Sequence, residues 1–435
     1  MLAVSSIYAI GLYKFADINI HVLPAPTGDP TATKSISGVC AGTCTYLILG
    51  DDSRKGLSKA DQIRFGDTKT VPGERSDTIM LVRLDPREKK AIVLSFPRDL
   101  WVDIPHQGFG KITSAFEGGP YRTAQVVSDL TGLKIDHFLV VNLAGFQNVV
   151  KAIGGVPICV DRPMVDQLAG LNVPSGCQTL GPEQALAFVR ARHVVCDRIP
   201  DFSRITRQQQ FLRAVLAKIL QPSMILHAKT VVPAVLSNLL VDQGLKNAGI
   251  AEMIYLVRQL QGVSTGAVDF RSVPSTPSTV DTSAGVVDTV RLIQPDARHL
   301  FTRLAQGRPL GDLGKSLPNT PESPATIRVR VFDDRSAGAA PKVQDFLTKS
   351  GFDIQPLATS NTIGVSGPVI LYKPDTLPQA QVVQGILRGL RMQQAPKGAL
   401  AQADVAVIIP ASYHGPGVAS PSPGATPSTP GAACG

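Results

Sequence analysis

Short apolar runs alternate with longer amphipathic stretches along most of this chain. The runs TYLILG, TIMLVRL, KKAIVLSFP and HFLVVN begin at residues 45, 78, 89 and 137, and their length and composition predict β-strands. The clearest helical pattern places Phe146, Val149, Val150 and Ile153 on one face and ends at Gly154–Gly155. Strands that alternate with helices predict a layered α/β domain over residues 45–307.

Segments rich in Pro, Gly, Ser and Thr divide the chain into units. Residues 25–44 and 308–325 have the composition of linkers. The pattern strand, helix, strand, strand, helix, strand predicts a second, small α/β domain over residues 326–411. The tail, residues 412–435, lacks the apolar residues needed for a core and is predicted to be disordered.

The first 24 residues contain an apolar run, Leu2–Tyr13, that is only about half as long as a bilayer-spanning helix requires. It is interpreted as a truncated N-terminal membrane anchor over residues 1–24. An ordinary amphipathic helix at the N-terminus is the alternative.

Composition narrows the possible partners. With 43% hydrophobic and 18% charged residues, the chain of 435 residues can bury a sizeable core. A net charge of +9 suits anionic membranes, phosphate-bearing substrates or nucleic acid. Nucleic acid is not expected, because aromatic residues make up only 5% and no DNA- or RNA-binding motif is found.

The chain has six cysteines, none of them in a CxxC motif. Their even number and loop positions favour disulfides in an oxidising compartment over small buried side chains, and Cys159–Cys177 is the pair we expect. CxxxC at Cys40 and Cys44 has no second close pair that would complete a zinc site.

Arginines without a single lysine fill the stretch FVRARHVVCDRIPDFSRITRQQQFLR. Arginine binds phosphate through two parallel N–H donors and never loses its charge. On a face that is merely solvated, lysine would serve equally well. In the predicted helix from Ser203, one face carries Arg204, Arg207, Gln208 and Phe211, which suits a ligand with a phosphate and an apolar part. The alternative is a helix whose arginines form salt bridges with nearby aspartates.

Carboxylates lie at two strand ends, Asp52 after the first strand and Asp77 before the second. Each alone could cap a turn. Beside Arg75, Arg98 and the arginine-rich stretch, the two together predict a site for Mg²⁺ or Mn²⁺ bridging carboxylate and pyrophosphate oxygens. The arginines would stabilise charge during phosphoryl transfer.

Seven motifs in this order resemble the LytR-CpsA-Psr (LCP) family of cell-wall glycopolymer ligases: LILGDDSR, RSDTIMLVRLDP, LSFPRDLWVDIP, GKITSAF, VVNLAGFQNVVKAIGGVPICV, GPEQALAFVRARH and DFSRITRQQQFL. The resemblance implies a layered α-β-α catalytic domain with a central mixed sheet. Residues 326–411 look like the LytR C-terminal domain of actinobacterial members, with DDRSAGA in place of the usual turn. In GKITSAF, Thr113 stands where the family has asparagine.

The family resemblance implies an extracytoplasmic enzyme held by a single-pass N-terminal anchor. It would move a glycopolymer, by its sugar-1-phosphate end, from a polyprenyl pyrophosphate to peptidoglycan. Arabinogalactan is the polymer expected in an actinobacterium, and teichoic acid is another class the family uses.

The residue roles that the resemblance implies fall into three sets. The catalytic residues would be Arg75, Asp77, Asp52 and Arg98, with both aspartates at the metal. Pyrophosphate binding would involve Arg54, Lys111, Arg190, Arg192, Arg204, Arg207 and Gln208. The prenyl chain would contact Phe146, Val149, Val150, Ile153 and Phe211.

Two other interpretations stay open. The same site could release the polymer to water as a pyrophosphatase, because no motif for the acceptor can be read. The chain could also be a non-catalytic lipid- or wall-binding regulator, although paired aspartates among arginines argue against mere binding.

Overall fold

The computed structural model describes the residues on which the following account rests: 21–23, 42–53, 75–85, 88–194, 197, 200–219, 221, 224, 231, 235, 237–245, 268–283, 285–315, 327–334, 339–359, 365, 367–373, 376–387, 390–396, 400, 402–410 and 413. They divide into two compact units. Unit 1 comprises Met1–Ala191, Arg204–Pro274 and Ile293–Ser316, and unit 2 comprises Arg192–Ser203, Ser275–Leu292 and Leu317–Gly435.

A seven-stranded mixed sheet forms the centre of unit 1, in the order β1-β12-β7-β2-β3-β4-β13. Strands β2 and β7 run parallel, as do β4 and β13, whereas β3 is antiparallel to both of its neighbours. This confirms the predicted α/β class with a central mixed sheet. Its strands are β1 (His21–Leu23), β2 (Cys44–Asp51), β3 (Ser76–Asp85), β4 (Lys90–Phe96), β7 (His137–Val141), β12 (Leu240–Asp242) and β13 (Val268–Ser272).

Apolar side chains in register hold the middle of this sheet. Leu81 of β3 lies opposite Leu47 of β2 and Leu94 of β4, and all three are at most 1% exposed. The opposite face is also covered, since Tyr46 and Val93 are buried. Central strands buried on both faces explain why the sequence shows near-continuous apolar runs instead of strict alternation.

Short antiparallel pairs surround the central sheet. They are β5 (Trp101–Ile104) with β6 (Gly108–Lys111), β8 (Val156–Val160) with β11 (Gly176–Leu180), and β9 (Met164–Asp166) with β10 (Leu171–Val173). Cys159 and Cys177 lie opposite each other in the pair β8–β11 and form the predicted disulfide.

Helices pack around the sheet at positions that the sequence indicates. A 3-10 helix (Ile112–Gly118) leads into α1 (Pro120–Thr131), and α2 (Leu143–Ala152) begins at Asn142, whose side chain accepts a hydrogen bond from the Gly145 amide at 2.7 Å. The remaining helices are α3 (Pro182–Arg190), α4 (Pro200–Ile219) and α5 (Asp296–Ala305). Pro182 occupies the first turn of α3, a position that proline favours.

Unit 2 contains a five-stranded sheet in the order β17-β16-β20-β18-β19 and a separate hairpin, β14–β15. Tyr413, which prediction assigned to the tail, is 8% exposed and packs in the unit's core. The elements are β14 (Ser275–Thr282), β15 (Gly285–Leu292), β16 (Arg328–Asp334), α6 (Ala339–Lys349), β17 (Asp353–Thr359), β18 (Val369–Tyr372), α7 (Leu377–Ile386), β19 (Arg391–Gln394) and β20 (Val405–Pro410).

Several sequence expectations fall outside the described residues: the apolar run Leu2–Tyr13, most of the linker 25–44, Arg54, and the tail beyond Tyr413. Within the part of the chain that the structure describes, no helix has the length and apolar character needed to cross a membrane.

Candidate functional site

The segments that carry Asp52, Asp77 and Arg98 meet at one edge of the central sheet. Strand β2 ends at this edge, β3 starts there, and β4 ends there, as the register shows: Asp51 lies opposite Ser76, and Ile79 lies opposite Phe96. A register shift after Gly50 interrupts the ladder between β2 and β3. The polar side chains that follow or precede these strands therefore come together, although they are far apart in sequence.

Arg98 and Asp77 form the central ion pair of this edge. Arg98 Nη1 donates to Asp77 Oδ1 at 2.7 Å, and the two side chains are 21% and 34% exposed. A pair with this exposure remains accessible to a ligand. Arg75 and Asp77 flank Ser76 in the sequence, so they could have formed a local salt bridge. The structure instead joins Asp77 to the arginine at the end of β4.

Asp52 and Arg75 are joined by two hydrogen bonds, one between their backbones and one to the Asp52 carboxylate. The Asp52 amide donates to the Arg75 carbonyl at 3.0 Å, and the Arg75 amide donates to Asp52 Oδ1, also at 3.0 Å. This reciprocal clasp fixes both residues beside Asp77. The guanidinium of Arg75 is 60% exposed, with Nε 3.9 Å from Glu117 Oε1, so it faces solvent at the rim of the site.

Lys111 joins the same cluster through a residue that the sequence prediction omitted. Asp99 Oδ1 lies 3.0 Å from Lys111 Nζ, and Asp99 Oδ2 lies 3.6 Å from Arg98 Nε. Asp99 is 15% exposed and holds two cations on either side of one carboxylate. Its signal in the sequence was its place directly after Arg98 in SFPRD.

Thr113, at the position where the family has asparagine, supports the start of β3. Its hydroxyl donates to the Ser76 carbonyl at 3.0 Å, and its amide donates to the Arg98 carbonyl at 3.1 Å. The side chain is buried. Thr113 therefore links the two segments that carry Asp77 and Arg98, a structural role that the sequence did not predict.

The arginine-rich helix α4 contacts this part of unit 1 through buried side chains. Arg204, Arg207 and Gln208 are 3%, 4% and 8% exposed. Gln208 Nε2 donates to Thr78 Oγ1 at 2.8 Å and to the Val189 carbonyl at 3.3 Å. Thr78 belongs to β3, so Gln208 joins helix α4 to the strand that carries Asp77.

The guanidinium of Arg207 donates to the carbonyl of Ala191, the residue that caps helix α3. Burying a guanidinium removes it from water and requires compensating partners. A rigid support of this kind is typical of side chains that must keep a fixed position at a site.

Arg190 and Arg192 are both predicted to bind the pyrophosphate, yet residues two apart on a helix point in different directions. Helix α3 ends at Arg190, and Ala191 adopts an extended conformation (φ −54°, ψ 136°). Arg192 therefore lies beyond the helix. Its Nη2 lies 2.9 and 3.0 Å from the two oxygens of Asp201.

The predicted prenyl-contacting residues divide by burial. Val150 and Ile153 are 1% and 2% exposed and belong to the interior of unit 1. Phe146 lies against Phe211 of helix α4, with ring centroids 5.0 Å apart, and Phe146 and Val149 are half-buried. Of the five residues, Phe146 and Phe211 are brought into ring contact.

A metal ion would find two carboxylates at the sheet edge, those of Asp52 and Asp77. Across the described segments, no group of three or more His, Cys, Asp or Glu side chains is arranged to hold a metal. Mg²⁺ commonly binds one or two carboxylates and completes its shell with water and substrate phosphates. In number and type of donor, two carboxylates match what Mg²⁺ takes from a protein when it is shared with a phosphate ligand.

The family model described as the LytR_cpsA_psr family matches residues 25–304. The chain belongs to this family. The match confirms the LCP resemblance of the larger domain. It ends before residue 326, so the assignment of residues 326–411 as a LytR C-terminal-type domain stays a prediction.

Two curated proteins are similar to this LCP-family chain. The "Probable cell wall biosynthesis protein LcpB" of Corynebacterium glutamicum is 33% identical over 275 residues, which cover 63% of this chain and 63% of LcpB. The "Polyisoprenyl-teichoic acid--peptidoglycan teichoic acid transferase TagT" of Bacillus subtilis is 30% identical over 270 residues, which cover 60% of this chain and 81% of TagT. The chain thus spans less than two thirds of the length of LcpB.

The crystal structure of B. subtilis TagV shares the fold of the LCP domain. Its TM-score is 0.50 at 22% sequence identity, and the match covers 62% of this chain and 98% of TagV. At this identity the comparison supports the architecture alone.

Proposed function

We propose that this protein is a phosphotransferase that attaches a cell-wall glycopolymer to peptidoglycan. The observation that carries the proposal is the ion pair of Arg98 with Asp77, set beside the clasped Asp52 and Arg75 at one sheet edge. The chain's family membership and its similarity to TagT, a transferase named for peptidoglycan and a polyisoprenyl-linked polymer, support the same reaction class.

The cations of the site suit a pyrophosphate. Arg98 and Lys111 converge on Asp99, and Arg75 presents an exposed guanidinium at the rim. Such groups would stabilise the negative charge of the two bridged phosphates and the additional charge that develops during transfer. Arg190, Arg192, Arg204, Arg207 and Gln208 are proposed to complete the binding site, as the family resemblance implies.

Mg²⁺ is the proposed metal, with Mn²⁺ as a substitute, and Asp52 and Asp77 would hold it. When bound, the ion would neutralise phosphate charge and orient the pyrophosphate. The ion pair between Asp77 and Arg98 would then be the resting arrangement of a site that binds both a metal and a phosphate. A metal and a phosphate together would give Asp77 a cation and Arg98 an anion, so each charge keeps a partner when the ligand binds.

The proposed reaction exchanges one phosphorus–oxygen bond for another. A hydroxyl oxygen of peptidoglycan attacks the phosphorus of the sugar-1-phosphate, and its proton is released. The anhydride bond to the lipid phosphate breaks, and polyprenyl phosphate leaves with the electron pair. The product is a phosphodiester between glycopolymer and peptidoglycan. Preorganised cations at the site would stabilise the charge on the transferred group.

The lipid part of the donor requires apolar surface beside the phosphate site. Phe146 and Phe211 are the best candidates, because their rings are in contact and Phe211 is on the helix that carries Arg204, Arg207 and Gln208. An extracytoplasmic location on the cell membrane is part of the proposal. The Cys159–Cys177 disulfide supports an oxidising compartment.

Asp77→Asn tests the proposed function, because it removes the charge and keeps the shape. Transfer from a synthetic polyprenyl-pyrophosphate glycan to purified peptidoglycan should fall by about a hundredfold or more. The matched control is Asp85→Asn, a change at the other end of the same strand, which should transfer at the normal rate.

Two results would contradict the proposal. Normal transfer in Asp77→Asn would show that the carboxylate has no part in the reaction. Release of the glycan with a free phosphate at its reducing end, without attachment to peptidoglycan, would identify a pyrophosphatase instead.

A further inference from the structure

The hairpin β5–β6 begins three residues after Arg98 and has two unlike faces. On the inner face, Val102 and Ile104 are 5% and 1% exposed. Opposite them lie Gly110 and Gly108, and a Cβ added at Gly110 would approach Ile104 Cδ1 to 3.2 Å. The inner face therefore fixes the hairpin on the body of unit 1, where it packs on the 3-10 helix and α1.

The outer face carries aromatic and charged side chains in an alternating pattern. Trp101 lies opposite Lys111, and Asp103 lies opposite Phe109, so the four residues share one face. Trp101 is the chain's single tryptophan and is half-buried, whereas Phe109 is 69% exposed and Asp103 is exposed. Phe109 and Trp101 are diagonal neighbours on this face, which leaves an aromatic surface available to a ligand.

This outer face is continuous with the candidate site. Lys111, at the end of β6, lies 3.0 Å from Asp99, and Asp99 also contacts Arg98. Arg98 in turn binds Asp77. A polymer lying along the hairpin would therefore come close to the proposed site of phosphoryl transfer.

We propose that the outer face of β5–β6 binds the glycan strand of the peptidoglycan acceptor. The inference rests on the proposed function and assigns the acceptor surface, for which the sequence held no motif. Flat aromatic rings present apolar area that matches the C–H faces of pyranose rings, while their neighbours supply polar groups. Asp103 would accept hydrogen bonds from sugar hydroxyls.

The charges favour a glycan over a membrane surface. A membrane-binding hairpin would pair its aromatic residues with cations, because the lipid surface is anionic. Trp101 does lie opposite a cation, Lys111, but Lys111 is already paired with Asp99 at 3.0 Å. Here the residue directly opposite Phe109 is Asp103, whose carboxylate would be repelled by that surface. A neutral polyhydroxyl chain accepts both charges.

The openness of the face favours the acceptor over the donor. The first sugar of the donor is covalently attached to the pyrophosphate and must lie at the ion-pair cluster itself. Peptidoglycan is an extended mesh that can approach only an exposed surface, and Phe109 is among the most exposed large apolar side chains of the described segments.

Phe109→Ala tests the proposal in the full chain. The side chain is exposed, so folding should be unaffected, which circular dichroism and thermal unfolding will verify. The matched control is Leu168→Ala, which removes an equally exposed apolar side chain, 77% exposed, from the turn between β9 and β10. Binding is measured by retention on insoluble peptidoglycan stripped of attached polymers, so the readout does not depend on catalysis.

The dissociation constant for peptidoglycan should rise about tenfold in Phe109→Ala, which corresponds to about 1.4 kcal/mol, and should not change in Leu168→Ala. In the transfer assay, the acceptor concentration at half-maximal rate should rise while the KM for the lipid donor stays constant. Asp77→Asn should retain peptidoglycan binding, which separates failure of this proposal from failure of the proposed function.

Three results would overturn the inference. Unchanged retention of Phe109→Ala would remove the face from acceptor binding. An equal loss in Leu168→Ala would indicate general apolar adsorption. Loss of binding to phosphatidylglycerol vesicles, with unchanged retention on peptidoglycan, would identify the hairpin as a membrane contact.

Discussion

Arg98 and Asp77 form an ion pair across the ends of β4 and β3, with 2.7 Å between Nη1 and Oδ1. Both side chains keep some contact with solvent, and Asp99 provides Arg98 with a second carboxylate 3.6 Å away. The pair therefore has little importance for folding, since partly exposed ion pairs contribute at most about 1 kcal/mol.

Asp77→Asn should accordingly lower the free energy of unfolding by about 1 kcal/mol or less. Urea unfolding followed by circular dichroism will measure this change, with Asp85→Asn as the reference. A loss of about 3 kcal/mol or more would mean that the pair is a structural element, and any loss of transfer in the same variant would need another explanation.

Asp99→Asn should disturb catalysis indirectly. The carboxylate holds Arg98 and Lys111 in place, so its removal should raise the KM for the lipid donor by about tenfold, with a smaller effect on kcat. Asp99→Glu, which keeps the charge, should recover part of the loss. Steady-state kinetics of both variants provide the test, and identical loss in the two would argue against a role through charge.

Thr113→Val should destabilise the start of β3. The change keeps the shape but leaves the buried Ser76 carbonyl without the hydroxyl that donates to it at 3.0 Å. We expect a loss of about 1–2 kcal/mol in the free energy of unfolding. Thr113→Ser keeps the donor and is the control. Equal stability of wild type and Thr113→Val, measured in urea, would show that the hydrogen bond is unimportant.

The stability of unit 2 should fall at alkaline pH because of Tyr413. Burial raises the pKa of Tyr413 from 10.0 to about 12, and the charge of Asp288 acts in the same direction. Because the folded state holds the phenol proton more tightly than the unfolded state, its stability is intact below pH 10 and falls as the pH rises towards 12.

Tyr413→Phe should make unfolding less sensitive to pH between 10 and 12 than in the wild-type chain. Thermal unfolding across this interval is the measurement. At neutral pH the variant should be at least as stable as wild type, since the Tyr413 hydroxyl is buried and finds no hydrogen-bond partner among the described residues. Parallel pH profiles for the two proteins would contradict the assignment.

The sequence predicted the core strands because burial on both faces leaves a strong signal. The runs TYLILG, TIMLVRL and KKAIVLSFP became β2, β3 and β4, with Leu47, Leu81 and Leu94 aligned across them. Strands of only four residues leave no such signal. Thus the four-residue strands of β5–β6, rich in glycine on one side, were not predicted.

The sequence predicted which residue types gather at the ends of β2, β3 and β4, but only partly which of them pair. Strand ends identified Asp52, Asp77 and Arg98 as neighbours. The choice of Arg98 over Arg75 as the partner of Asp77 depends on the antiparallel register of β3 and β4, which no local pattern contains. The same holds for Thr113, whose acceptor at Ser76 is 37 residues away in the chain.

The reciprocal clasp between Asp52 and Arg75 also insulates the site from the chain that separates them. Two hydrogen bonds of 3.0 Å and the adjoining sheet set the distance between these residues. Sequence changes between them, including insertions and deletions, can therefore accumulate without moving either charge.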